Sequence, residues 1–379
     1  MIFFKNRRKG KDNVAGNRVD HVESVNVALG GIRLGRLAMR PDRICVFEYD
    51  PEWLQHGFSI SPFHIPLKSG LFTAMRDPFE GLFGVFNDSL PDGWGTLLID
   101  RWLRKEGIEP ASFTVLDRLT LVGSNGMGAL TFEPDQGIQR LQENPDVDQL
   151  ALNVQRVIRE EKSADLDQLI RMGESSGGAR PKVMIRIDDQ HWLIKFPASS
   201  DPQNIGALEF LYSTIARKCG IKMPETRLFS NKYFGVKRFD RIPGKRIHVH
   251  SASGLLYASF RYPSLDYTSL MKATMALTND IRETEKLFRR MVFNVLTGNR
   301  DDHAKNFSFI YNQGQWELSP AYDLLKSHGF NGFHSTTIAG SGNPTKADIF
   351  KVAELTGLPI PVAREIYDQV YESCKEIRL

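Results

Sequence analysis

The chain has 379 residues, 41% of them hydrophobic and 25% charged, and a formal net charge of +4. This composition is typical of a soluble protein of two or three domains. The mild positive charge permits acidic partners, including nucleotides or nucleic acid, without requiring them. Three cysteines without short spacings argue against a disulfide framework or a zinc site. Because no apolar stretch is long enough for a signal peptide or a membrane span, the sequence predicts a cytoplasmic protein that does not bind membranes.

Residues 1–20 are predicted to be a basic, flexible tail, and residues 21–135 to be an α+β unit. In that unit, alternating apolar and polar residues around Gly30-Gly31 predict a hairpin. Asp92 or Ser89 is expected to cap an amphipathic helix. The predicted elements are the hairpin across 22–37, a strand at 43–49, helices at 96–106 and 113–121, and a strand at 128–132.

Residues 136–245 and 246–379 are expected to form two lobes, the first rich in strands and the second mostly helical. In the second lobe, a buried helix over 287–297 is predicted to end at Gly298, a residue type that favours helix C-termini. We therefore predict an α+β, bilobal, protein-kinase-like fold with an extra N-terminal α+β subdomain. The other predicted elements are helices at 149–161, 166–172 and 207–218, strands at 182–187, 192–196, 225–229 and 233–239, and a hairpin with strands at 307–311 and 315–318.

A loop rich in glycine and serine precedes the first strand of the kinase-like part. Gly177 and Gly178 allow a tight turn in which consecutive backbone amides can cradle a phosphate. The pattern is neither G-x-G-x-x-G nor the Walker A sequence. A flexible surface loop explains the same residues, but the position just before two strands favours phosphate binding.

Lys195 lies between apolar neighbours on the second of those strands. Burying an ammonium without a partner is costly, and protein kinases pair a strand lysine at the ATP phosphates with a helix glutamate. Glu209, in the following helix, is the natural partner, although Lys195 could instead lie on an exposed strand face. The later strand end that carries Lys237 and Phe239 is a candidate contact for adenine, and an ordinary strand end explains it equally well.

The most informative segment is 299–307, with the sequence Asn-Arg-Asp-Asp-His-Ala-Lys-Asn-Phe. Asn306 follows Asp301 by five residues, and Asp323 follows Asn306 by seventeen. In protein kinases an Asp at this spacing receives the proton of the acceptor hydroxyl, while an Asn and a second Asp hold Mg²⁺. The preceding His-Arg and the Asp-Phe-Gly triplet of those enzymes are absent from the sequence, and a solvated loop is the alternative. The order helix, polar loop, hairpin and Asp is expected to bring the three residues to one edge.

In this order, the motifs resemble those of the HipA-type serine/threonine kinases of bacterial toxin–antitoxin modules. The resemblance extends from about Val22 to the C-terminus. Each motif alone is weak, but the ordered set is highly specific. The matching segments are 90–94, 177–182, 193–195, 238–241, 302–306 and 318–323.

The resemblance implies that ATP and Mg²⁺ are the cofactors. It implies that Asp301 is the catalytic base and that Asn306 and Asp323 bind Mg²⁺. In this family a serine of the glycine-rich loop is autophosphorylated, which silences the enzyme, and the resemblance implies that Ser175 or Ser176 would be that residue here. The residues implied to contact the nucleotide or to support its phosphates are Lys195, Gly177, Gly178, Ala179, Lys182, Lys237, Phe239, His303 and Lys305.

The resemblance also implies a function and partners. The chain would be the toxin of a toxin–antitoxin pair and would arrest growth by phosphorylating a translation component such as an aminoacyl-tRNA synthetase. A small helix-turn-helix antitoxin, similar to HipB, would be its partner and would connect it to operator DNA. Two other interpretations stay open: a kinase-like co-repressor without transfer activity, and a kinase for small molecules or lipids. A metal hydrolase built on Asp301, Asp302 and His303 is a third, but it leaves Lys195 and the glycine-rich loop unexplained.

Overall fold

The computed structural model describes residues 21–137, 144–161, 165–172 and 178–377. The predicted tail at 1–20 lies outside these ranges, as do Ser175, Ser176 and Gly177 of the glycine-rich loop. Within the described ranges, the helices lack the combination of length and hydrophobicity that a membrane-spanning segment requires.

The N-terminal subdomain is built on a five-stranded antiparallel sheet in the order β4-β3-β2-β1-β5. The predicted hairpin joins the first two strands, and Gly30 and Gly31 adopt φ values of 62° and 80°, which side chains disfavour. Phe47, Phe86 and Phe132 are fully buried in the core of this subdomain. The elements are β1 (Ser24–Leu29), β2 (Ile32–Met39), β3 (Cys45–Tyr49), α1 (Pro51–His56), β4 (Leu71–Thr73), α2 (Gly84–Asn87), α3 (Gly93–Lys105), α4 (Val115–Val122) and β5 (Leu130–Glu133).

The first kinase-like lobe contains a four-stranded antiparallel sheet in the order β6-β7-β9-β8. Its core includes Trp192 and Ile194, together with Trp94 and Leu98 of α3, so this lobe and the N-terminal subdomain share a hydrophobic cluster. The elements are α5 (Val147–Ile158), α6 (Leu166–Met172), β6 (Lys182–Ile187), β7 (Gln190–Lys195), α7 (Ile205–Lys218), β8 (Thr226–Phe229) and β9 (Tyr233–Lys237).

The second lobe is mostly helical around the buried helix that the sequence predicted. That helix ends at Gly298, which has a φ of 69° and caps it, and the predicted hairpin follows with a turn between Asn312 and Gln315. The elements are β10 (Arg241–Ile242), β11 (Lys245–Arg246), β12 (His248–Ser251), α8 (Ala252–Leu256), β13 (Leu265–Asp266), α9 (Tyr267–Thr278), α10 (Ile281–Thr297), β14 (Ser308–Asn312), β15 (Gln315–Leu318), β16 (Thr336–Thr337), α11 (Lys346–Thr356) and α12 (Ile360–Ser373). The architecture is therefore the predicted α+β, bilobal, kinase-like fold with an additional N-terminal subdomain.

A buried ion cluster lies in the segment that connects the two lobes. Arg238 Nη2 and Arg241 Nη1 lie 2.5 and 2.8 Å from Asp240 Oδ2, which also accepts a hydrogen bond from the backbone of Gly128. Burial alone would raise the pKa of Asp240, but the two arginines hold it well below its usual range. Arg241 and Arg246 also donate to the carbonyl of Gly128. Hydrogen bonds to Gly128 therefore attach the connection between the lobes to the N-terminal subdomain.

Replacing Asp240 with asparagine is expected to destabilise the protein by about 3–5 kcal/mol, because two buried arginines would lose their counter-charge. Denaturant unfolding measures this change. Asp167→Asn is the control, since Asp167 pairs with Lys105 at an exposed site where an ion pair contributes about 0–1 kcal/mol. An equal decrease in the free energy of unfolding for the two variants would contradict the proposal that the buried cluster stabilises the protein more than a surface ion pair does.

Candidate active site

A cavity with a volume of about 140 Å³ lies between the two kinase-like lobes. Most of the residues predicted from the sequence line it, although they come from separate parts of the chain. Ala179 and Asp301 lie outside its lining. The predicted residues in the lining are Gly178, Lys182, Lys195, Glu209, Lys237, Phe239, His303, Lys305, Asn306 and Asp323.

Lys195 is the centre of a buried ion cluster at one end of this cavity. Its Nζ atom contacts both Glu209 Oε1 on α7 and Asp323 Oδ1 in the loop after β15. Burial alone would lower the pKa of Lys195, but the carboxylates of Asp323 and Glu209 raise it above its usual range. Burial likewise would raise the pKa of Asp323, and the ammonium of Lys195 lowers it instead. The strand lysine is therefore charged and shared between two carboxylates.

Burial also shifts the pKa values of Glu209 and Lys182, and in both residues the neighbouring charges do not fully offset its effect. Burial raises the pKa of Glu209 despite the opposing charge of Lys195, which Asp323 shares. Lys182 lies opposite Lys195 in the register of β6 and β7 and is buried, which lowers its pKa. This end of the cavity therefore holds two lysines and two carboxylates close together, so that positive and negative groups are equal in number.

The backbone conformation at Gly178 favours glycine. Its φ of +98° is unfavourable for side chains, and a Cβ atom added there would lie 2.7 Å from Lys182 Nζ. The described end of the glycine-rich loop therefore packs directly against the buried lysine.

Asp92, expected from the sequence to cap a helix, has a different role. It occupies the N-cap position of α3, but its carboxylate makes no capping hydrogen bond. Instead Oδ1 accepts from the backbone N–H of Gly178, and Oδ2 lies 3.0 Å from Lys305 Nζ. The neighbouring Gly93 packs so closely that a Cβ atom there would lie 2.6 Å from the Cα atom of Ala179. The N-terminal subdomain thus contributes a carboxylate that bridges the glycine-rich loop and the predicted catalytic loop.

Asp92→Asn is expected to strengthen ATP binding by about fivefold. A phosphate oxygen and the carboxylate of Asp92 would compete for the same donors, Gly178 N–H and Lys305 Nζ, and the substitution removes the charge while keeping the shape. Titration with a fluorescent ATP analogue measures the change. Asp100→Asn is the control on the same helix, since Asp100 pairs with Arg118 at 2.9 Å outside the cavity lining. Weaker binding by the Asp92 variant would show that the carboxylate orders the loop and does not compete with phosphate.

The loop from Asp301 to Asn306 holds the predicted catalytic base and a predicted Mg²⁺ ligand close together. Asn306 Nδ2 donates to the Asp301 carbonyl at 2.7 Å, and Ser327 Oγ accepts from the Asp301 N–H at 2.7 Å. Asp301 is exposed at its surface, yet desolvation of its carboxyl and the nearby charge of Asp323 raise its pKa, against the opposing effect of His303. The carboxyl is accessible and more basic than that of an ordinary aspartate.

Asp302, next to it in sequence, is completely buried and supports the loop. Its carboxylate accepts hydrogen bonds from Tyr267 Oη at 3.0 Å and from the backbone of Ser335 and Thr336 at 2.9 and 3.2 Å, and it lies 2.9 Å from His334 Nδ1. With every bond directed into the protein, Asp302 fixes the backbone that positions Asp301.

The chemistry of the cavity fits a nucleotide with a divalent cation. Within the described ranges, the Nδ1 atom of His303 is buried without a hydrogen-bond partner, and His303 lines the cavity together with Lys305 and Asn306. A buried polar atom without a partner is unfavourable unless a ligand satisfies it. Amide and carboxylate oxygens of Asn306 and Asp323 are the donors that Mg²⁺ prefers.

The other end of the cavity is apolar. The ring of Phe239 stacks on that of Tyr322, with centroids 6.0 Å apart. Lys237, expected to offer backbone contacts to adenine, already donates its N–H to the Glu225 carbonyl, and its Nζ lies 3.6 Å from Glu225 Oε2. Phe239, rather than the side chain of Lys237, provides the apolar surface at this end.

Two family models match the chain. The one described as the HipA-like C-terminal domain matches residues 174–377, more than half of the sequence, and the one described as the HipA N-terminal domain matches residues 25–133. The chain belongs to the HipA family. Asp92 lies in the segment that matches the HipA N-terminal domain, whereas Gly178 and Lys305 lie in the segment that matches the C-terminal domain. The carboxylate of Asp92 therefore joins the two domains.

Relatives and a solved structure agree with this assignment. The Shewanella oneidensis protein named serine/threonine-protein kinase toxin HipA is 23% identical over 389 residues, which cover 89% of this chain and 84% of that protein. The Sinorhizobium fredii protein Y4dM is 26% identical over 287 residues, or 68% of each chain. The solved complex of Shewanella oneidensis HipA with HipB and operator DNA contains a chain with a TM-score of 0.70 at 19% identity, covering 93% of this chain and 90% of that one. This last likeness establishes the fold.

Proposed function

We propose that this HipA-family protein is an Mg²⁺/ATP-dependent protein serine/threonine kinase and the toxin of a toxin–antitoxin pair. The observation that carries the proposal is the meeting of Lys195, Glu209 and Asp323 at a cavity that the 301–306 loop also borders. These are the groups that kinase chemistry requires, and they come from the elements that carry them in protein kinases. The alternatives without phosphoryl transfer give no reason for a buried lysine shared by two carboxylates.

Each residue has a distinct part in the proposed reaction. Bound ATP supplies the phosphoryl group, and Mg²⁺ offsets the negative charge that its phosphates carry. Lys195 Nζ would hold phosphate oxygens, and Glu209 would keep that ammonium in place. Asn306 and Asp323 would hold the metal through their side-chain oxygens. Asp301 accepts the proton of the acceptor serine or threonine hydroxyl, and its raised pKa makes it a better base.

A second cavity offers a route for the protein acceptor. It has a volume of about 800 Å³ and shares Leu90 and Lys305 with the first cavity. The N-terminal subdomain forms most of its lining, and residues 259–261 and Lys305 of the second lobe form the rest. An acceptor segment in this cavity would lie beside Lys305 of the catalytic loop.

The cellular role is proposed by family membership. The Shewanella oneidensis relative was solved with HipB and operator DNA, and we propose a helix-turn-helix antitoxin of the same kind as the partner of this chain. Operator DNA would then be reached through that antitoxin. The proposed substrate is a cytoplasmic translation component such as an aminoacyl-tRNA synthetase.

Incubation with Mg²⁺ and ATP is expected to place one phosphate on Ser175 or Ser176, detected by mass spectrometry of the purified protein. The added charge, close to two units, would disfavour a loop position that faces ATP phosphates. The variants Ser175→Ala and Ser176→Ala identify the acceptor, and a lysate from the same host tests for a protein substrate. A labelled small molecule without any labelled protein would favour the small-molecule kinase, and ATP binding without transfer to any acceptor would favour the silent co-repressor.

A further inference from the structure

Two cysteines from opposite kinase-like lobes meet in the interior of the protein. Cys219 caps the C-terminal end of α7 and Cys374 caps that of α12, and they are separated by 155 residues. Their Sγ atoms lie 3.4 Å apart, and the residues are 2% and 0% exposed. The spacing of the cysteines along the sequence gave no indication of this contact.

Other contacts hold the two helix ends together without help from the sulfur atoms. Lys218 Nζ lies 3.1 Å from Glu376 Oε1 beside the thiols. Arg289 Nη1 donates to the Cys219 carbonyl at 3.0 Å and to Gln369 Oε1 on α12 at 2.9 Å. Because these contacts already bring the two helix ends together, a disulfide bond would need the sulfurs, now 3.4 Å apart, to move closer by only about 1.4 Å.

The third cysteine provides a natural comparison. Cys45 is fully buried in β3, and burial raises the pKa of its thiol to about 12. The hydrogen bond with Cys374, together with the nearby charge of Arg289, lowers the pKa of Cys219 instead. Since the thiolate is the reactive form, the thiol of Cys219 should react before that of Cys45.

We propose that Cys219 and Cys374 are an oxidisable dithiol that a peroxide converts into an intramolecular disulfide linking the two lobes. The thiolate of Cys219 attacks one oxygen of hydrogen peroxide, which forms a sulfenic acid and releases hydroxide. The thiol of Cys374 then displaces the sulfenic oxygen, which leaves as water after taking up a proton, and the S–S bond forms. In total, two thiols and one peroxide give one disulfide and two waters.

The cross-link would restrain the helix that carries Glu209. At present the two lobes are covalently joined only through the chain segment around Asp240. A disulfide between Cys219 and Cys374 adds a second covalent connection, from the end of α7 to the end of α12. The proposal goes beyond the kinase activity and does not depend on it.

Hydrogen peroxide treatment of the full-length protein, followed by intact mass measurement and non-reducing peptide mapping, tests this proposal. We expect the loss of two hydrogens, one peptide pair joining Cys219 to Cys374, and an increase in Tm of about 5 °C that dithiothreitol reverses. Cys45→Ser should keep all three results, and Cys374→Ala should lose them. The peptide map of the unsubstituted protein decides the matter even if a variant folds poorly. Oxygen added to Cys219 without a cross-link, a disulfide between different chains, or two unreacted thiols would overturn the proposal.

Discussion

Replacing Asp301 with asparagine is expected to lower the rate of phosphoryl transfer by about 10²- to 10⁴-fold, the usual contribution of a general base. Asparagine keeps the shape of the side chain but cannot accept the proton of the acceptor hydroxyl. ATP affinity should change little, because Asp301 lies outside the lining of the nucleotide cavity. Transfer from radiolabelled ATP gives the rate, and titration with a fluorescent ATP analogue gives the affinity.

Asp302→Asn is the matched control, since it makes the same chemical change one residue away. Asp302 is completely buried and accepts hydrogen bonds from Tyr267, Ser335 and Thr336, so its loss should destabilise the protein by about 1–3 kcal/mol. If the Asp301 variant kept full transfer activity while a folded Asp302 variant lost it, Asp302 and not Asp301 would be the catalytic base.

Lys195→Met is expected to lower phosphoryl transfer by about 10³-fold and to destabilise the protein by about 3 kcal/mol. The activity falls because the phosphates lose a buried cation. The stability falls for a different reason: Glu209 and Asp323 both contact Lys195 Nζ and would be left together without it. Denaturant unfolding and the transfer assay measure the two effects separately.

The double variant Lys195→Met with Glu209→Leu separates these two causes. Removing the carboxylate that is most deeply buried should restore much of the lost stability, whereas transfer should stay low because no cation returns. Lys232→Met, at an exposed turn position between β8 and β9, is expected to change neither property. Recovery of transfer in the double variant would argue that Lys195 serves the fold and not the phosphates.

The sequence predicted the fold well because its signals are local. Gly30 and Gly31 at a hairpin, and Gly298 at a helix end, have positive φ values where glycine is preferred. The buried helix predicted over 287–297 and the hairpin after it also follow from periodicity and turn residues, although the helix begins earlier, at Ile281. Spacing within one stretch of chain was enough to suggest that Asp301 and Asn306 act together, and the structure places them in one hydrogen-bonded loop.

The contacts that the sequence could not predict join distant parts of the chain. Asp92 reaches residues 86 and 213 positions away, and no local pattern distinguishes such a carboxylate from an ordinary helix cap. Asp301 and Asp302 are the same residue type in one motif, and contacts with Tyr267 and residues 334–336 distinguish the buried Asp302 from the exposed Asp301. The contact between Cys219 and Cys374 likewise depends on how α7 and α12 end beside each other.

The direct contact between Lys195 and Asp323 has a thermodynamic consequence. Under the proposed roles, Lys195 serves a phosphate and Asp323 serves a metal ion, yet each now neutralises the other. A phosphate that draws Lys195 away would leave Asp323 with unbalanced negative charge and so increase its affinity for Mg²⁺. By the reciprocity of linked equilibria, Mg²⁺ must increase the affinity for the nucleotide by the same factor. The ion pair would thus make the binding of the two ligands cooperative even though neither residue touches both.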